Sequence, residues 1–327
     1  MDKLEVLSSI TRLSPSVIRV LGQNPGKFTL QGTNTYIIGK QNPFTLVDTG
    51  EGKEEYIPNL ESALKDATTN VDSPDVSDII VSHWHGDHIG GLPSVLALLR
   101  RLWDERQSGV PFKPPRLHKY PLSQTPERSN LPSIMDSLPP DSFTRASESS
   151  PFHDLHNGQE FSSSIRVLHT PGHTRDSICL LIPEDRALYT ADTVLGQGTA
   201  IFEDLTVYIA SLHKMLDYRE SNTYDILYPG HGPVVTDGTK VIQTYIKHRL
   251  EREAQILDVL RTAPPEKKPS WTTWSIVSKI YETYPESLWA PASYSIALHM
   301  HKLESDGIVK RVGGEGVHTS WGLNAKL

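Results

Sequence analysis

Residues 82–91 read SHWHGDHIGG, and this stretch decides the fold. Three histidines and one aspartate, His83, His85, Asp87 and His88, fall between the apolar run DIIVS that ends at Ser82 and the apolar pattern GGLPSVLALLRRLW. The first run reads as a buried strand. The second reads as a helix, with Pro93 near its first turn, where a missing N–H costs nothing. In an extended segment His83 and His85 point the same way, and a turn at Gly86 lets Asp87 and His88 face a second point a few ångströms away. One loop can therefore serve two metal ions. Imidazole and carboxylate suit zinc, manganese or iron, whereas a closed structural zinc site is normally rich in thiolate. The chain has a single cysteine, Cys179, inside the apolar run SICLLI, so both a thiolate site and a disulfide framework are excluded.

Three more short β-like runs end in a turn that carries one possible ligand: His173 in HTPGHT, Asp192 in YTADT and His231 in YPGHG. Any one of them alone is an ordinary loop residue. As an ordered set behind an H-x-H-x-D-H run they point to strand ends gathered on one rim of a layered α/β fold. Asp48, in VDTG, reads either as a carboxylate that orients a histidine or the loop backbone, or as a plain turn former. His169 precedes Pro171 and is expected to be structural. His299 and His301 diverge on a predicted helix, so packing or surface roles are expected for them. His118, His153 and His156 carry no assignment.

Around this centre the chain alternates VIRVL, NTYIIG and FTLV with turns, which predicts meandering antiparallel strands. KEEYIPNLESALKDA and DLTVYIASLHKMLD predict amphipathic helices, and helical patterning recurs from Lys240 to Leu260. Between about residues 108 and 150 many prolines and serines predict an irregular surface insertion without long helices or central strands. The segment TAPPEKKPS, Thr262–Ser270, reads as a linker, dividing the chain into 1–262 and 263–327. The second part reads as helix, helix and two brief strands, a winged-helix-like unit. It holds seven basic and six acidic residues, too balanced for a DNA reader.

The 327 residues carry 32 Lys+Arg against 39 Asp+Glu, a net charge of −7, with 37% hydrophobic residues. That composition is globular, and its acidity gives no field for holding nucleic acid non-specifically. No apolar run reaches the ~20 residues of a membrane span. Asp2 and Glu5 stand where a targeting signal would be basic, so a cytoplasmic protein without membrane partners is expected.

The order HWHGDH, PGH, AD and PGHG resembles the metallo-β-lactamase superfamily of dinuclear metal hydrolases, from about Ser14 to Leu260. The stretches VIRVLGQNPGKFTLQGTNTYIIG, LVDTGEG, VLGQGTAIFEDL and YPGHGPV, with the winged-helix-like end, are most similar to the β-lactamase-like protein 2 group. That group includes an animal endoribonuclease and fungal thioesterases that release polyketides from carrier proteins. The resemblance implies an αββα sandwich with a small C-terminal winged-helix-like domain. It implies one ion, zinc or alternatively manganese, on His83, His85 and His173, a second on Asp87, His88 and His231, and Asp192 between them. Ser177 departs from the histidine that close relatives commonly carry there. Two such ions would share a hydroxide that attacks a carbonyl or phosphoryl centre, with Asp87 the candidate to handle its proton. The expected substrate is an acyl thioester on a carrier protein. The rival expectations are single-stranded RNA and a metal-free binding module.

Overall fold

The computed structural model describes residues 4–106, 109–161, 165–221, 223–265 and 269–324. Ser108, at the start of the expected insertion, and residues 266–268 of the expected linker lie outside the described residues.

The first sheet has seven strands, β1 (Ile10–Arg12), β2 (Val17–Leu21), β3 (Asn34–Ile38), β4 (Phe44–Val47), β5 (Val76–Val81), β6 (Arg116–Lys119) and β7 (His153–Asp154), in that spatial order. The first four pair antiparallel, and β4 through β7 pair parallel. Short turns join β1 to β2 and β3 to β4, a longer loop joins β2 to β3, and α1 (Tyr56–Ala67) makes the crossover between the parallel strands β4 and β5. After β5 come a single turn of helix, α2 (Gly86–Ile89), and then α3 (Leu92–Arg106). A further short helix, α4 (Leu131–Ser137), separates β6 from β7.

The second sheet contains β8 (Arg166–His169), β9 (Ile178–Ile182), β10 (Ala187–Ala191) and β11 (Ile226–Pro229), in the order β11-β10-β9-β8. Helices α5 (Leu205–Ser221) and α6 (Gly238–Leu260) flank β11 in sequence. Every residue of β9 is buried, because alternate side chains serve two cores. Ile178, Leu180 and Ile182 face the first sheet with Tyr36, Ile38 and Ile80, whereas Cys179 and Leu181 face α5 and α6 with Leu205, Leu212 and Ile242. On the far side of the first sheet, Ile18, Ile37 and Ile79 pack under Leu60 and Leu64 of α1 and Leu96 and Leu99 of α3. The layers are thus helix, sheet, sheet, helix.

Strand β10 runs parallel to β11 and antiparallel to β9, and β9 is antiparallel to β8, so β8, β10 and β11 all point one way. Their C-terminal ends share a rim, which is why residues far apart in sequence meet there.

The third unit comprises β12 (Trp271–Thr272), α7 (Thr273–Ile280), α8 (Trp289–Ser305), β13 (Val309–Gly313) and β14 (Ser320–Leu323), with β14 central in a three-stranded sheet. A capping box between Thr272 and Ser275 starts α7. This is a winged-helix domain, with β12 added to the two expected strands. Helix α6 belongs to two cores: Ile242 and Ile246 pack on the second sheet, and Ile256 and Leu260 pack with Ile296, Met300 and Trp321 of the winged helix.

The proline-rich segment is more structured than its composition predicts. Arg116–Lys119 forms an interior strand between β5 and β7, and Leu131, Leu138 and Phe143 are buried in the core. The prolines flank the strand, at Pro114, Pro115 and Pro121, so none removes a ladder donor from within it. The expected turn at Gly86 is the first residue of α2.

Candidate metal centre

The C-terminal end of β5 delivers Ser82 and then His83 and His85. One turn of helix then carries Asp87 and His88 back toward β4. Gly90 and Gly91 make this return possible: a Cβ on Gly91 would stand 1.9 Å from the Thr49 carbonyl oxygen. The loop after β8 contributes His173, the end of β10 contributes Asp192, and the loop after β11 contributes His231.

These side chains form two clusters. His83 Nε2, His85 Nδ1 and His173 Nε2 lie 3.0 to 3.2 Å from one another. Hydrogen bonds elsewhere leave these nitrogens facing inward: His83 Nδ1 meets Ser82 Oγ at 3.0 Å, and His173 Nδ1 donates to the Ile201 carbonyl at 2.7 Å. Three mutually facing imidazole nitrogens cannot all be satisfied by one another's protons, whereas a tetrahedral ion with bonds near 2.0–2.1 Å holds its donors about 3.3 Å apart. In the second cluster, Asp87 Oδ2 lies 3.4 Å from His88 Nε2 and 3.2 Å from His231 Nε2. Asp192 stands between the two, 3.4 Å from His88, 3.3 Å from His231 and 3.6 Å from His173. His88 Nε2 and Asp192 Oδ1 are buried without a hydrogen-bond partner, as unused ligand atoms would be. The two groups could each hold a divalent cation.

The electrostatics of the clusters differ. Burial lowers the pKa of His83, and the neighbouring His88 and His173 lower it further. Burial, reinforced by His173, takes His85 down to about 3. Both therefore present neutral rings. Burial also opposes the charged form of His231, but Asp192 outweighs it and the pKa rises to about 9. His88 is likewise raised, with Asp87, Asp192 and Asp48 overcoming burial. The second cluster thus has a carboxylate environment that stabilises positive charge.

Asp48, wholly buried at φ 62°, joins the two side-chain clusters to the sheet. It accepts hydrogen bonds from Ser82 N at 2.8 Å, Ser82 Oγ at 2.8 Å and His88 Nδ1 at 2.7 Å, and from the Tyr189 hydroxyl. Here it orients both a histidine and the loop backbone. The sequence reading missed several partners. Thr33 Oγ1 donates to Asp87 Oδ2 at 3.1 Å, and Asn34 Nδ2 holds the His231 turn through the carbonyls of Pro229 and Gly232. Thr33 and Asn34 lie in the GTNTYIIG stretch, but no spacing rule connects them to ligands. Asp176 is paired with Lys119 of β6, and Thr174 and Ser177 bond to each other at 2.7 Å, closing the turn that carries His173.

Other histidines stand elsewhere. His169 stacks on Tyr120 and donates to the Arg175 carbonyl. His118 bonds to Asp78, His299 is buried in the winged helix, and His301 is exposed.

Above the clusters opens a cavity of about 720 Å³. His85, Asp87, His173, Asp192 and His231 form its polar floor. Its walls include Phe28, Leu30, Leu195, Ile201, Phe202 and Tyr294, with Lys27 and Arg128 as its basic residues and Glu203 paired to Arg128.

The sequence model of the Metallo-beta-lactamase superfamily matches residues 28–231, and that of the Beta-lactamase associated winged helix domain matches residues 272–321. The chain is 35% identical over 308 residues to a Beta-lactamase-like protein 2 homolog of Drosophila melanogaster, covering 93% of each chain. It is 34% identical over 290 residues to an atrochrysone carboxyl ACP thioesterase of Claviceps purpurea, covering 88% of this chain and 79% of that one. Among solved structures it is similar to a beta-lactamase domain protein from Burkholderia ambifaria, with a TM-score of 0.68 at 18% identity over 99% of this chain and 96% of that one, a likeness of fold. A match running from β3 through β11, together with relatives covered over most of their length, places the chain in the metallo-beta-lactamase superfamily, a family of hydrolases.

Proposed function

We propose that the chain is a dinuclear metal hydrolase that cleaves acyl thioesters, releasing an acyl or polyketide chain from a carrier protein. The observation that carries this reading is the cleft: a floor of facing nitrogen and oxygen donors beneath walls that are mainly apolar. His83, His85 and His173 would hold one ion, Asp87, His88 and His231 the other, and the Asp192 carboxylate faces both. Divalent cations bound there would make water nucleophilic near neutral pH and would act as a Lewis acid toward an acyl carbonyl.

The rest falls to the chain itself. Asp87, with 21% of its side chain exposed, is the more open of the two carboxylates and fronts the cleft. Thr33 and His231 fix its Oδ2 atom, and its partly exposed carboxylate is placed to take the proton of the attacking water and release it to solvent as the thiolate departs. A departing thiolate needs no proton, so one proton-handling carboxylate suffices. The apolar walls bind the acyl chain and exclude water from the carbonyl. The thioesterase name of the Claviceps relative supports the same reading.

An endoribonuclease needs a basic trough along the strand. This cleft has Lys27 and Arg128, and Arg128 is already paired with Glu203, so the acyl reading is favoured. The test strips the full chain with a chelator, restores zinc or manganese, and follows thiol release from acyl-coenzyme A and acyl-carrier thioesters beside cleavage of single-stranded RNA. Metal-dependent thiol release that disappears in His85→Ala is expected. RNA cleavage without thiol release would overturn the reading.

A further inference from the structure

One side chain of the winged-helix domain lines the cleft above the two clusters. Tyr294, on α8, lies in the cavity wall with 53% of its surface exposed. Two other large apolar side chains of that wall are similarly open, Phe28 at 63% and Ile201 at 51%. Exposed apolar groups gathered around a polar floor mark a surface kept bare for a ligand.

Helix α6 ties the position of Tyr294 to the cleft. Helix α6 holds the wall loop from one side: Tyr245 Oη accepts from Leu195 N at 3.1 Å and donates to the Gly198 carbonyl at 3.0 Å. One helical turn further on, Arg249 donates to the Ala200 carbonyl at 2.8 Å and lies 4.7 Å over the Phe202 ring. Later turns of the same helix place Ile256 and Leu260 in the winged-helix core beside Ile296 of α8. A single rigid helix therefore sets both Tyr294 and the loop whose Ile201 carbonyl orients His173.

The domain's charges do not favour a nucleic acid in this role. Of its described basic residues, Lys279 pairs with Glu282, Lys302 with Glu253 and Asp306, and Arg311 with Glu304, leaving Lys310. Three of four cations are already neutralised locally, so the face that reaches the cleft offers a phenol ring rather than a basic surface.

We propose that Tyr294 is a substrate-contacting specificity residue through which the winged-helix domain selects long apolar acyl chains. The proposal rests on the thioesterase reading above. Phe202, Ile201, Tyr294 and Phe28 all line the cavity, and the last three are its exposed apolar groups, so an acyl chain long enough to extend from the floor toward solvent meets them. Short acyl groups end before they reach them.

The test uses the full, zinc-loaded chain with acetyl- and dodecanoyl-coenzyme A. Tyr294→Ala is expected to lower the ratio of kcat/KM for dodecanoyl over acetyl substrate about tenfold, carried mainly by KM. Tyr294→Phe restores it, and Val312→Ala, an exposed change elsewhere in the domain, leaves it unaltered. An unchanged ratio in a folded, metal-replete Tyr294→Ala protein would overturn the proposal. Should the wild type hydrolyse neither thioester, the functional reading fails separately. Calorimetric binding of the uncleavable dodecyl-coenzyme A thioether then decides: weakening by Tyr294→Ala sustains the apolar-chain contact, and equal affinity refutes it.

Discussion

Replacing Asp48 by asparagine tests whether a single buried carboxylate sets the ligand geometry. Asparagine has the same shape and tolerates the left-handed backbone at φ 62°, so the change alters hydrogen-bond polarity and charge rather than the chain path. One oxygen continues to accept from Ser82 N. The amide nitrogen then faces the donors Ser82 Oγ, His88 Nδ1 and Tyr189 Oη. The two hydroxyls can rotate, but His88 can relieve the clash only by moving its proton to Nε2, the nitrogen that faces Asp87 and Asp192. Losing an outer partner that sets a ligand's tautomer typically costs about 10–100-fold in metal affinity. The ion on Asp87, His88 and His231 should therefore bind more weakly by about 1.4–2.7 kcal/mol. The ion on His83, His85 and His173 should change much less, because Ser82 Oγ still meets His83. Loss of charge-assisted bonds should also destabilise the metal-free protein by roughly 1.5–3 kcal/mol. Competition titration against a chromophoric chelator resolves the two constants, and thermal unfolding after metal removal gives the stability change. Two unchanged constants, or two that fall equally, would refute the tautomer argument.

Lys119→Met strands Asp176 in the core and should cost about 3–5 kcal/mol in denaturant unfolding, whereas adding Asp176→Leu should recover most of that loss. Gly172 has φ 130°, and a Cβ there would stand 2.4 Å from Tyr208 Cα, so Gly172→Ala should push the His173 loop off α5. Metal analysis should find the first ion depleted, with stability lowered by about 2–4 kcal/mol. Full occupancy and unchanged stability would contradict this. Burial acts to raise the pKa of Asp78, but bonds from His118, Arg116 and Ser77 hold it at about 2, below its ordinary 3.8. Its contribution is complete above the ordinary value and lost as pH falls toward 2, so Asp78→Asn should flatten the acid limb of metal-free stability over that interval. An unchanged limb would contradict the assignment.

How much of this was legible beforehand varied with the kind of interaction. The clustering of His83 to His88 was readable because these side chains are neighbours in sequence and the strand before them is apolar on both faces. His173, Asp192 and His231 were readable as turn residues after β-like runs, since parallel strands bring such turns to one rim. Strand β6 was hidden because four residues between prolines carry too little periodicity to outweigh a segment's composition. The winged helix was visible in outline, but its shared core with α6 was not, because a helix's period does not say which unit it packs against.

Local order and side-chain chemistry were written in the chain: which residue types can bind cations, which runs form strands, and where each turn interrupts them. Folding alone decided the convergence. Asp48 meets Tyr189, Thr33 meets Asp87, and Tyr294 enters a cleft whose floor lies in another domain. Such meetings depend on the stacking of two sheets and the path of one long helix, and those are set by burial summed over the whole chain rather than by any short pattern.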